Sequence, residues 1–166
     1  MRIGTKTVLF GYHQFLLHPL IVAAAWTKLY GFPYDPRLWA AFFLHDIGYL
    51  GKPNIDGIEG QMHPFFGADI MHILFDYPMQ PSDWHHFCLY HSRTIAKTYF
   101  APLSKLGYAD KLAFLLYPKW LLRALYFFSG EIVEYMKNCE TPTWDEWYAL
   151  AVACNNKTLD ELNTTV

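Results

Sequence analysis

His18, His45, Asp46, His63, His91 and Asp110 are the residues of this 166-residue chain best suited by type and spacing to do chemistry. Imidazole nitrogens and carboxylate oxygens are good ligands for divalent transition ions. His45 and Asp46 are adjacent, at the end of the apolar stretch LWAAFFLHDIGY, residues 38–49. Neighbouring helical residues point about 100° apart, so the pair converges only on something lying over the helix end. His18 precedes His45 by 27 positions, His63 follows Asp46 by 17, His91 follows His63 by 28, and Asp110 follows His91 by 19. That spacing puts each of the others on, or at the end of, a different predicted helix, and a helical bundle can aim such residues at one point in its core. Four imidazoles and two carboxylates suffice for one or two divalent ions. A carboxylate can bridge, which makes Asp46 the expected shared ligand. Fe, Mn, Zn or Ni suit these donors, and Mg is also accepted.

Each ligand has a plainer explanation. His18 lies in an apolar stretch and could be a core histidine bonded to a carbonyl. His63 precedes a proline and could simply start a helix. His91 ends a predicted helix, where a cation is favoured. Asp110 sits among apolar neighbours in mid-helix, where Asp is a poor helix former and a buried carboxylate needs a partner. Lys111 is not expected to be that partner, because adjacent helical residues diverge. His13, His72 and His85 read as structural or surface residues, and His86 as an outer donor or substitute ligand.

The elements that must hold these residues read as helices throughout. The first is expected over 5–29, weakened at Gly11 and interrupted at His18-Pro19. Asp35-Pro36 caps a second, to about Ile47, apolar nearly all round and so expected to be central and buried. Residues 48–62, with four glycines and one proline, form a loop. A third helix runs from His63 to Phe75 and is ended by Tyr77-Pro78 and Pro81. Ser82 caps a fourth, Asp83 to Arg93. A fifth is expected from Pro102 to Leu116 and a sixth from Pro118 to Asn138. Thr143-Trp144-Asp145-Glu146 is a capping box for a seventh, and Thr158 to Glu161 repeats that signature for a last short turn. No stretch alternates at period two. The expectation is therefore an all-α, single-domain helical bundle of about six to eight helices spanning residues 1–166.

Composition bounds the rest. The chain is 53% hydrophobic and 19% aromatic, which excludes disorder, and its net charge of −2 argues against an extended nucleic-acid surface. Three cysteines without a CxxC point to reduced thiols and a cytoplasmic protein. The apolar run Leu112 to Phe128 contains Pro118, Lys119 and Arg123, so no membrane span is expected.

The segments HPLIVAAAWTKLYG, LWAAFFLHDIGY, MHPFFGADIM, LYHSR and LGYADKLAF, in that order, resemble the HD superfamily of metal-dependent phosphohydrolases, with its H…HD…H…H…D pattern. The resemblance covers residues 12–116. Tyr49 stands where the cyclic-dinucleotide branch usually has Lys, and the GYP signature of that branch is missing. The order of segments is most similar to dinucleoside polyphosphate hydrolases. What the resemblance implies is hydrolysis of a phosphoester or phosphoanhydride, with a nucleotide as substrate, by a metal-activated water. Asp46 would then be catalytic through the metal. Lys52 and Arg93 would hold phosphate oxygens, with Lys97 and Lys111 as secondary candidates, and Tyr49 would stack on a base, with Trp39, Trp84 and Phe65 as further aromatic candidates. Two other readings remain open. A minority of HD-fold proteins resemble inositol oxygenase and cleave C–C or C–P bonds at a di-iron pair. A non-catalytic binding module is the other, with the aromatic helices of 118–163 as a homo-oligomer or partner interface.

Overall fold

The computed structural model describes residues 1–78 and 83–164. All the regular structure among them is helical: α1 (Ile3–Phe10), α2 (Leu17–Tyr30), α3 (Pro36–Leu44), the one-turn α4 (Ile58–Gln61), α5 (His63–Met71), α6 (Asp83–Leu89), α7 (Arg93–Thr98), α8 (Lys105–Leu116), α9 (Lys119–Ser129), α10 (Glu131–Asn138) and α11 (Trp144–Thr164). A 3₁₀ turn covers Ile47–Tyr49, and α5 runs into a π-helical segment, His72–Asp76. The fold is all-α, as expected, but the chain is broken into more and shorter helices than six to eight.

The breaks have local causes. Gly11 ends α1, taking its backbone N–H to the Lys6 and Thr7 carbonyls, so the expected 5–29 helix is two helices. Ser92 turns the chain and caps a helix missing from the expectation, α7, with its hydroxyl accepting from the Ile95 N–H; the expected 83–93 helix therefore stops at Leu89. Gly130, at φ +81°, ends α9 and starts α10 in a left-handed conformation that only glycine adopts without cost, which divides the expected 118–138 helix. Conversely, the second capping signature at Thr158 starts nothing: α11 is continuous, and the Thr158 hydroxyl instead donates to the Cys154 carbonyl one turn back. The capping box at Thr143 forms, with Glu146 accepting from the Thr143 backbone and hydroxyl. The expected cap Ser82 and the terminator Pro81 lie outside the described residues.

Packing follows the apolar positions. α2 lies along α8, and Val22, Trp26, Phe42, Met71 and Leu106 form the main core with α3 and α5. Each such side chain contributes roughly 1.5–3 kcal/mol by leaving water. α3 is less buried than its apolar sequence suggests: within it only Ala41 and Phe42 are fully covered. A second core joins α8, α9, α10 and α11 through Tyr12, Phe114, Leu122, Tyr126, Trp144 and Trp147. Much of the aromatic content of 118–163 is thus spent inside the chain, although Trp120 and Phe128 are exposed. No helix among the described residues is long and apolar enough to cross a membrane. Cys88, Cys139 and Cys154 are free thiols.

Candidate metal centre

All six candidate ligand residues come together. His18 in α2, His45 and Asp46 just after α3, His63 opening α5, His91 between α6 and α7, and Asp110 in α8 are each buried to at least 93%. Two overlapping groups form. His18, His45, Asp46 and Asp110 make one; Asp46, His63 and His91 make the other. Asp46 divides its oxygens between them. Its Oδ2 lies 3.2 Å from His18 Nε2 and 3.0 Å from His45 Nε2, while its Oδ1 lies 3.2 Å from His63 Nε2 and 3.4 Å from His91 Nε2. Asp110 Oδ1 closes the first group, 3.2 Å from His18 Nε2.

Backbone geometry sets the direction of the imidazoles. His45 Nδ1 donates to Phe42 O at 2.9 Å, His63 Nδ1 to Gly60 O at 2.8 Å and His91 Nδ1 to Cys88 O at 2.6 Å. In each case the acceptor is the carbonyl three residues back. A carbonyl can only accept, so the proton sits on Nδ1 and the Nε2 lone pair faces the cluster. This is how ligating histidines are held in the right tautomer. The short 3₁₀ turn after Asp46 brings Gly48 against α5. A Cβ at Gly48 would lie 2.0 Å from the His63 carbonyl oxygen, so only glycine lets His63 come this near. The Tyr49 ring then stacks on His63, with centroids 3.8 Å apart and planes at 15°.

The residues fit a divalent ion. His18 Nε2, His45 Nε2, Asp46 Oδ2 and Asp110 Oδ1 are buried without a hydrogen bond, since the close N···O pairs lack in-line geometry. Ligand atoms about 2.0–2.1 Å from one ion lie roughly 3 Å from each other, which is the spacing seen here. Electrostatics agree. Burial opposes ionisation of Asp46, yet His45, His13 and His18 around it hold its carboxyl well below the usual range. Burial likewise opposes ionisation of Asp110, and Lys111 and His18 overcome it in the same direction. Burial disfavours the charged form of His18, but Asp110 and Asp46 push it up to about 9. His63 goes the other way: burial lowers it to about 4 despite Asp46.

The remaining sequence candidates are placed unevenly. Arg93, at the start of α7, lines the cavity of about 180 Å³ over the cluster. Its Nη1 is tied to α11 through the Cys154 carbonyl, the Cys154 thiol and the Thr158 hydroxyl. Tyr49 lines the same cavity, but its ring face is already used by His63. Lys52 is elsewhere: its Cβ packs near Gly4 of α1 and it does not line the cavity. Lys111 does line it, and its Nζ reaches Asp110 Oδ2 at 2.6 Å. That corrects the expectation that adjacent residues cannot pair: the lysine stem is long enough to curl back over the helix. His86 stacks on Tyr90 and takes no part in the cluster. Trp39 donates to the Pro33 carbonyl, and Trp84 lies under the Arg37 guanidinium.

His13, read from sequence as structural or surface, also lines the cavity. Its Nδ1 lies 2.9 Å from the Thr7 hydroxyl and 3.3 Å from Glu131 Oε2. Glu131 is wholly buried and also accepts from Thr7 Oγ1, Ser129 Oγ and the Tyr12 N–H. Nothing in the local sequence connects residues 13 and 131: the expected helix ran straight through 131, and the burial of Glu131 is a property of the fold.

Compared with known proteins, the chain matches no family profile, no curated sequence and no solved structure.

Proposed function

We propose that the protein is a metal-dependent phosphohydrolase of the HD type, acting on a small phosphorylated substrate, with a nucleotide as the favoured class. One observation carries the reading: five side chains gather around Asp46, with His18 Nε2, His45 Nε2, Asp46 Oδ2 and Asp110 Oδ1 buried and without a hydrogen bond, beside a cavity that also presents Arg93 and Lys111. His18, His45, Asp46 and Asp110 would hold one ion, and Asp46, His63 and His91 a second. Such ions supply Lewis-acid charge and lower the pKa of bound water. The chain's own residues do the rest. Arg93 and Lys111 offer N–H donors to phosphoryl oxygens at the cavity wall. The tie from Arg93 to α11 fixes the guanidinium there, and Lys111 takes the part the sequence assigned to Lys52. The Tyr49 ring shields one face of His63 from water and keeps the imidazole plane in place.

The test is metal content of protein purified without chelator, followed by a hydrolysis panel of nucleotides, phosphodiesters and simple phosphate esters. Two equivalents of metal with release of phosphate, both lost in Asp46→Ala, support the proposal. Retention of metal and hydrolysis by Asp46→Ala defeats it. Metal without hydrolysis, accompanied by an iron colour and an EPR signal, moves the site to oxygenase chemistry. No metal at all moves it to a binding module.

A further inference from the structure

A second cavity, of about 380 Å³, opens beside the one over the metal ligands. His13, Asp56, Arg93, Asp110, Lys111 and Tyr135 line both, so the two spaces adjoin. The inner one is walled mainly by the ligand residues and other polar groups. The outer one is walled by aromatic and apolar side chains of α8, α9 and α11, among them Phe114, Tyr126, Trp147 and Ala151. The helices beyond residue 116, which the sequence offered as an oligomer or partner interface, therefore build half of a bipartite pocket. At the low end of the roughly 300–1,000 Å³ typical of ligand sites, the outer cavity accommodates one ring system and its linker.

Among its apolar walls stands Asn155, on α11. It is only 7% exposed, and among the described residues no hydrogen bond involves its side chain. Its amide donor and acceptor are therefore free to take a ligand, and this is the side chain suited to pair two-pronged with the edge of a heteroaromatic ring. The geometry points to a substrate that carries a planar heteroaromatic group: the ring enters the α8–α11 chamber and pairs with Asn155, and the phosphoryl end reaches past Arg93 and Lys111 to the cluster. The phosphoryl end rests on the phosphohydrolase reading, whereas the ring site stands on the chamber and Asn155. Nucleobases and other nitrogen heterocycles share the required edge chemistry.

Calorimetric binding tests this without turnover. The ligands are 5′-phosphonate analogues of adenosine, guanosine, cytidine and uridine, a pyridylmethylphosphonate, benzylphosphonate as a ring without edge groups, and methylphosphonate as a headgroup without a ring. The expected order places at least one heterocyclic ligand about tenfold tighter than benzylphosphonate, with methylphosphonate weakest. A nucleoside winner assigns the chamber to a base; a pyridyl winner assigns it to another heterocycle. Asn155→Leu should erase the advantage over benzylphosphonate while helicity is unchanged. Ala151→Trp, which fills the chamber from a half-buried position, should abolish binding of the ring ligands and leave methylphosphonate as it was. Equal binding of methylphosphonate and all ring ligands overturns the inference, as does an Asn155→Leu protein that still discriminates. If ring ligands bind through Asn155 but no ester is hydrolysed, the chamber stands and the phosphohydrolase reading falls.

Discussion

His63 Nε2 and His91 Nε2 face each other at 3.2 Å with no proton between them. Each ring has committed its Nδ1 proton to a backbone carbonyl, at Gly60 and Cys88, so two lone pairs are pressed together in a dry interior. Neutral imidazoles gain nothing from that contact. A cation placed to take both lone pairs removes the repulsion, and Asp46 Oδ1 completes the set.

His91→Ala therefore separates the two groups of ligands. The variant is expected to keep the ion held by His18, His45, Asp46 and Asp110 and to lose the other, so elemental analysis falls from two equivalents to one. A count of one equivalent that His91→Ala leaves unchanged means that His63 and His91 are not ligands, and a single-metal nucleotidase becomes the better analogy.

Gly48→Ala tests the approach of α5 to the HD turn. The new Cβ meets the His63 carbonyl at 2.0 Å, backbone against backbone, so one segment must move. A loss of about 1–3 kcal/mol in urea unfolding is expected, together with weaker metal retention because His63 moves with its carbonyl. Full stability and full metal content would mean the turn adapts freely.

The pH dependence of metal-free protein has two limbs. His18 is pushed from 6.5 up to about 9, so the folded state holds a proton that the unfolded chain releases. That stabilisation is complete below pH 6.5 and is lost as the pH rises through about 9. His63 is lowered to about 4, so its contribution is present above 6.5 and is lost as the pH falls through about 4. The urea midpoint should peak between these limbs. Saturating metal should lift the alkaline limb, since an ion displaces the His18 proton. A midpoint that is flat in metal-free protein contradicts the assignment of these charges.

Lys111→Ala and Lys52→Ala should behave differently, although the sequence favoured Lys52. Only Lys111 lines the cavity. Its removal is expected to raise KM roughly tenfold through a lost charge-assisted contact. Lys52→Ala should leave kcat/KM within about twofold, as for a side chain away from substrate. Steady-state kinetics on whichever ester the panel identifies decides between them.

Glu131→Ala should destabilise the fold by roughly 2–4 kcal/mol, because Thr7, Ser129 and the Tyr12 N–H lose a shared buried acceptor. Metal content of the folded fraction should be unchanged, since Glu131 belongs to neither ligand group. Loss of metal would place Glu131 in the support of the cluster.

The six residues that converge were legible from type and interval, because each sits at a helix boundary or at an odd position within a helix: His45-Asp46 before a glycine, His63 before a proline, Asp110 among apolar neighbours. The all-α class was legible for a similar reason, since periodicity and caps are local. Three-dimensional packing decided the rest. Whether Ser92 and Gly130 break a helix, and whether Thr158 starts one, depends on what the neighbouring turn packs against. That Lys111 and not Lys52 reaches the cavity depends on where α8 and the 48–62 loop lie, which no local pattern states. The pairing of His13 with Glu131, 118 positions apart in the chain, and the chamber closed by Asn155 exist only because α10 and α11 fold back over α1 and α8. Local sequence sets which side chains can ligate, cap or break; burial, which sets their charge and their partners, is a property of the whole fold.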